Sequence, residues 1–158
     1  MDEGLEGMEV IVGYDLESYE DVRAEIAPLV LNHYHEVVVY PDIKLNVDEE
    51  MYQKIDEAGG LRLFTARNTA GDLIGYCIFF VRHHLHYMDS FQAFQDVLFI
   101  QKEYRGFGKK FIKWCDERLS EEKVQVVFHG VKAAHNYGSL LEDVGYKLSD
   151  LLYSRRLD

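Results

Sequence analysis

The chain has 158 residues, of which 47% are hydrophobic and 13% aromatic with only 2 prolines, which excludes a disordered or collagen-like polymer and suffices for one domain, 1–158, with a buried core. A formal charge of -11 excludes general nucleic-acid binding, which needs a surplus of Lys and Arg; it suits a cationic partner, and solubility alone accounts for it equally well. Cys77 and Cys115 lie in apolar runs without CxxC spacing, the start MDEGLEGMEV is acidic where a signal peptide is basic, and no apolar run nears the ~20 residues of a membrane span, so a reducing cytoplasmic location without a membrane partner is expected.

Met8 to Tyr14 (MEVIVGY) alternates as a first strand does, with Asp15 or Ser18 placed to cap the helix that follows. From Tyr19 to about Val39 the apolar positions recur at helical spacing, with a kink expected at Pro28. After a loop holding Pro41, Asp48 caps a second helix through Met51, Tyr52 and Ile55 that stops at Gly59-Gly60. Leu61 to Arg67 and Leu73 to Val81 are rich in β-formers and joined by the turn residues NTAGD, the pattern of a hairpin. Phe91 to Ile100 (FQAFQDVLFI) reads as a further strand, Phe107 to Leu119 as an amphipathic helix, and Val124 to Phe128 as a buried strand. Asn136 to Val144 reads as a short helix ended by Gly145, and Tyr146 to Leu157 as a last strand. The order βααβββαβαβ predicts an α/β fold, a mixed sheet with helices on both faces.

Chemistry concentrates where the strand VLFI turns through QKEYRG into the helix FGKKFIKW. Backbone N–H groups at a helix start lack intrahelical partners and carry roughly half a positive charge, so they attract phosphate. Gly106 and Gly108 let an anion approach the backbone, and Arg105 adds a bidentate donor. The same residues also make an ordinary turn and helix start. They do not form a Walker A loop, and the third glycine of a dinucleotide fingerprint is missing.

The run LFIQKEYRGFGKKFIKW resembles the Q/R-x-x-G-x-G/A signature of the GNAT family of N-acetyltransferases, and LLEDVGYKLSDLLYSRRL is similar to that family's closing helix and strand. The combination of NHYHEVV, LHY, DVLFIQKEYRGFG and YGSLLEDVGY resembles the acetyltransferase-like proteins of bacteriophages. This resemblance implies a GNAT-like, mostly antiparallel sheet and acetyl-CoA as co-substrate. It implies a cofactor site made by Arg105, Gly106, Phe107, Gly108, Lys109 and Lys110, with the backbone of Phe99 and Ile100 pairing with the pantetheine arm. Lys110 stands where the family has Gly or Ala, and Lys102 where it has proline.

An amine attacks only when neutral, and the family's base is usually a carboxylate near the fourth strand. Asp96 is the one acid in FQAFQDVLFI and is the candidate; the alternative is an Asp bonded to nearby backbone or facing solvent. The N–H of Ile100 or a neighbour would serve a developing oxyanion if the strand bulges. The family's acidic tyrosine is replaced by Leu141; Tyr137, one turn earlier on the same face, is the candidate acid, and the alternative is that the acid is missing. His83, His84, His86, His129 and His135 either line the acceptor cleft, with His33, His35 and Glu36 opposite, or are structural; no metal is expected, because HHLH is no ligand spacing. The expected activity is transfer of an acetyl group from acetyl-CoA to a primary amine, a protein lysine or a small molecule, in the bacterial host cytosol if the protein is phage-encoded. The alternative is a phage protein that acts mainly by binding a host bacterial protein. Oligomeric state, a homodimer included, stays open.

Overall fold

The computed structural model describes residues 12–158. The first part of the expected strand Met8 to Tyr14 lies outside them. Strand β1 runs Gly13–Glu17, and Ser18 then caps helix α1, Tyr19–Val37, its hydroxyl accepting from the Asp21 N–H at 3.2 Å while Glu20 and Asp21 face the positive helix end. The helix continues through Pro28, which removes only the bond that the Ala24 carbonyl would have accepted. Asp48 caps α2, Glu49–Glu57, by accepting from the Met51 N–H at 3.0 Å, and Gly59 ends it in the left-handed region at φ 80°.

Strands β2 (Leu61–Arg67) and β3 (Leu73–His83) form the expected hairpin. Asn68 builds its turn, its side-chain oxygen accepting from the N–H groups of Ala70 and Asp72, both at 3.0 Å. β4 is Phe91–Ile100, and α3, Gly108–Glu121, follows a 3₁₀ turn at Lys102–Phe107. β5 is short, Val126–Phe128, and α4 is a helix of 6 residues, Gly138–Asp143. The five strands lie in the order β1-β2-β3-β4-β5, antiparallel except for the parallel β4–β5 pair.

Each face of the sheet has its own core. Phe111, Cys115 and Leu119 of α3 close over Phe64, Ile74, Phe79 and Ala93, while Val22, Ile26 and Leu29 of α1 pack on Leu63, Tyr76, Ile78 and Phe99, with Tyr52 and Ile55 of α2 beside them. The expected class, a mixed and mostly antiparallel sheet with helices on both faces, is what forms.

One expected element does not form. Tyr146 to Leu157 is not a strand. Tyr146 is anchored by its hydroxyl to Asp116 at 2.7 Å and by its N–H to the Leu141 carbonyl at 3.0 Å, whereas Leu148, Leu151, Leu152 and Tyr153 are exposed. The adjacent pair Leu151-Leu152 breaks the alternation that would turn one face inward, and β5, with 3 residues, offers too short an edge to hold a partner.

Candidate active site

The site begins with a change of register in β4. Ile78 pairs with Val97 but Phe79 pairs with Gln95, so Asp96 is the extra residue of a β-bulge. The bulge switches the pleat. Ala93 before it and Leu98 and Ile100 after it face α3, while Val97 and Phe99 face α1. It also coincides with the point where the sheet splits. β5 pairs with β4 only as far as Phe94↔Phe128, and beyond it the Gln95 side chain bridges the gap by accepting from the Gly130 N–H at 2.9 Å.

From Asp96 to Ile100 the β5 side of β4 is therefore open. The Gln101 N–H bonds the Ile74 carbonyl at 2.8 Å, which fixes the alternation: the backbone groups of Leu98 and Ile100 point to the open edge and those of Phe99 point to β3. In agreement, the Ile100 carbonyl accepts from Arg105 Nε at 3.1 Å. Of the two residues expected to offer backbone to a cofactor arm, Ile100 turns its backbone groups to the open edge and Phe99 turns its own to β3; Leu98 is the other residue of this stretch that faces the edge.

Against this edge lies a slot enclosing about 230 Å³, walled by His33 and Glu36 of α1, Asp96 and Ile100 of β4, and Gly108 and Tyr137 near the two later helices. Gly108 is buried, and a Cβ there would stand 3.3 Å from Leu140 Cδ1 and 3.8 Å from Ile100 Cδ1, partly filling the slot. The Tyr137 hydroxyl is buried and, among the described residues, has no hydrogen-bond partner, while burial pushes its pKa upward. Leu141, at the family's tyrosine position, is a core residue instead.

Asp96 meets Tyr52, whose hydroxyl donates to Oδ2. Asp96 is exposed by surface area, yet the protein packed around it strips enough water to raise its pKa, which the Tyr52 hydrogen bond opposes; Tyr52 in turn is driven well above the usual phenol range, first by burial and then by that bond. Across the slot, burial lowers the His33 pKa against the pull of Glu36, and the His33 ring lies 5.5 Å from that of Phe99.

The phosphate end differs from the sequence expectation. Lys102–Phe107 coils into a 3₁₀ turn that runs straight into α3, so the Gly108 N–H is already bonded to the Arg105 carbonyl. Arg105 lines the slot, but its Nη2 is held by both oxygens of Glu36 at 2.7 Å. Gly106 and Phe107 stay outside; Lys109 pairs with Asp143 at 2.8 Å, and Lys110 lies 5.8 Å over the Phe107 ring, so it does not crowd the slot.

Among the histidines, His33 and His135 line the slot, and His135 Nε2 is 3.9 Å from Glu36. His35, His83, His84, His86 and His129 do not line it. His84 and His86 turn on each other at the β3–β4 connection, and His129 sits edge-on between Phe79 and Tyr146. Among the described residues, no three metal-binding side chains converge and no helix is long and apolar enough to cross a membrane.

Tyr52, Gln95, Leu98 and Lys132 are among the residues at the site that sequence reasoning missed. Tyr52 reads as part of an apolar helix face, and Lys132 lies in a stretch without periodicity.

Searches against family models and against curated proteins find no match. Solved structures do match over nearly the whole chain. A ribosomal-protein-alanine N-acetyltransferase from Brucella melitensis has 18% identity and a TM-score of 0.69, covering 93% of this chain and 99% of its own. A glucosamine-6-phosphate N-acetyltransferase from Arabidopsis thaliana has 12% identity and a TM-score of 0.69, covering 94% and 99%. A predicted acetyltransferase from Clostridium acetobutylicum, solved with acetyl-CoA, has 10% identity and a TM-score of 0.67, covering 93% and 97%. With its bulged fourth strand and the split beside it, the chain has the fold of the GNAT-type N-acetyltransferases.

Proposed function

We propose that the protein is an N-acetyltransferase that passes the acetyl group of acetyl-CoA directly to a primary amine, either a protein lysine or a small molecule. The observation that carries this reading is the bulge at Asp96 beside the open edge of β4, which puts a carboxylate and outward backbone N–H groups on one slot. The slot suits a thin extended chain; the acetyl and pantetheine portion would run along Leu98 and Ile100 in the manner of an added strand, past Gly108. The neighbour from Clostridium acetobutylicum was solved with acetyl-CoA, which supports the same choice of donor.

Acetyl-CoA supplies the activated acyl group, and the residues supply the rest. Asp96 accepts a proton from the acceptor ammonium through Oδ1, leaving a neutral amine to form the new C–N bond. The outward N–H of Leu98 or Ile100 stabilises negative charge on the acetyl oxygen. As the C–S bond breaks, the Tyr137 hydroxyl donates a proton to the departing sulfur and regains one from the second N–H that the new amide nitrogen sheds, while Asp96 returns its proton to solvent. No covalent enzyme intermediate is involved, since Cys77 and Cys115 are both buried. Work in a bacterial host cytosol, on a host protein, belongs to this proposal through the phage resemblance alone.

A second reading, binding of a host protein with little catalysis, is favoured by the Glu36–Arg105 pair at the phosphate end. Calorimetric titration with acetyl-CoA, followed by thiol-release assays on lysine peptides, polyamines and small amines, decides between them. Saturable binding with turnover is expected; binding without turnover on any amine supports the second reading, and no binding at millimolar ligand overturns the first.

A further inference from the structure

Tyr52 and Asp96 are 44 residues apart in sequence and come from different layers, α2 and the bulge of β4, yet their side chains are bonded. Each is held before the other is considered. The Tyr52 ring is stacked on Tyr19 at 5.2 Å between centroids and on Phe80 at 6.1 Å, and these two contacts restrict its rotamer. Asp96 is directed by the bulge, which places it and Val97 on the α1–α2 side of the sheet. Their hydrogen bond uses Oδ2. Among the described residues Oδ1 has no partner, and Asp96 lines the slot.

A carboxylate at a bulge can rotate, and a base must present its lone pair within hydrogen-bond reach of the proton it takes. We propose that Tyr52 is the positioning residue for Asp96: its hydroxyl fixes Oδ2, so that Oδ1 is turned into the slot toward the acceptor amine. This rests on Asp96 being the base of the reaction proposed above. The direction of the charge effects agrees, because burial alone would favour a protonated Asp96 and the Tyr52 donor favours the ionised form that a base needs. The other ionisable groups around the pair are Tyr76 of β3 and Tyr19 at the start of α1, and around the slot His33, Glu36, Arg105, Lys132, His135 and Tyr137. The tyrosines stay neutral and His33 is held toward its neutral form, which leaves Tyr52 as the donor in contact with the carboxylate.

Tyr52→Phe tests this, since it keeps the stacked ring and removes the donor. In the variant, kcat/KM for the amine is expected to fall about tenfold, the scale of one hydrogen bond to a charged group. Its acidic limb should move to higher pH while the Kd for acetyl-CoA is unchanged. Carbon NMR of the Asp96 carboxyl in the free protein should show titration at higher pH than in the parent, with an unchanged melting temperature confirming that the fold is kept. In an Asp96→Asn background the same Tyr52→Phe change should add little, because the two act as a unit. An Asp96 titration curve that does not move in Tyr52→Phe overturns the positioning role whether or not the protein turns over. Absence of turnover in the parent protein overturns the assignment of Asp96 as base, and the carboxyl titration still reports whether Tyr52 controls that group.

Discussion

The Arg105 guanidinium grips both carboxylate oxygens of Glu36 at 2.7 Å while its Nε–H bonds the Ile100 carbonyl at 3.1 Å. One side chain thus ties α1 to the end of β4 across the mouth of the slot. An anionic cofactor group approaching Arg105 meets a carboxylate that already holds its Nη2. Glu36→Gln keeps the shape and removes the competing charge, so we expect acetyl-CoA to bind several-fold more tightly, about 3- to 10-fold for one charge-assisted contact at a half-exposed position. Titration calorimetry at low salt reads this directly, and weaker binding in Glu36→Gln would show that Glu36 instead holds Arg105 in its binding pose.

Tyr137 gives a prediction in which activity and stability part company. Its hydroxyl is buried with no partner among the described residues, so replacing it by hydrogen leaves no group newly unsatisfied. Tyr137→Phe should melt at the same temperature as the parent or slightly higher. If the hydroxyl protonates the departing sulfur, kcat falls by roughly a hundredfold or more with the KM for acetyl-CoA little changed. A variant that keeps full kcat removes Tyr137 from the reaction.

These two residues also show what the sequence could tell. Tyr137 can be picked out as a candidate because it lies one turn before Leu141 at the start of α4, and Asp96 because it is the lone acid of an apolar strand. The partners are not legible. Glu36 reaches Arg105 over 69 residues and Tyr52 reaches Asp96 over 44, and no periodicity encodes contacts made by the packing of different layers. The bulge is equally silent, since one extra residue in FQAFQDVLFI looks like ordinary strand until its pairing with β3 is known. Tyr146 to Leu157 carries β-formers, but a strand needs an edge to pair with, and the brevity of β5 is a property of the whole sheet.

Gly75 of β3 lies directly across from Ile100, and a Cβ there would stand 2.8 Å from the Phe99 carbonyl oxygen and 3.3 Å from Ile100 Cα. Those are backbone atoms of the strand that borders the slot, so they cannot swing aside. Gly75→Ala should destabilise the protein by about 1–3 kcal/mol as an overpacking change, despite the backbone entropy that alanine removes from the unfolded chain. At the size of this chain that is a fall in melting temperature of roughly 5 °C. The contrast is Gly106, where a Cβ meets nothing within 4 Å. Gly106→Ala should leave the melting temperature within about 2 °C, because a surface change of this kind stays inside about ±0.5 kcal/mol.

His129 gives a prediction about acid. Its ring is wedged edge-on between Phe79 and Tyr146, both nitrogens are buried without a partner among the described residues, and burial pushes its pKa down from 6.5 to about 4. The unfolded chain therefore binds a proton on this residue over a pH range where the folded protein refuses it. Stability from this source is complete above about pH 6.5 and is lost as pH falls toward 4, at about 1.4 kcal/mol per unit and by roughly 3 kcal/mol in all. His33, lowered by burial, acts in the same direction, whereas the raised carboxyls of Asp96 and Asp116 act oppositely, since protonation is easier for them in the folded state. Urea unfolding at a series of pH values should show the midpoint falling between pH 6.5 and 4, and His129→Leu should flatten most of that slope. A slope that stays as steep in His129→Leu would mean that His33, or a water at the His129 ring, governs the acid response instead.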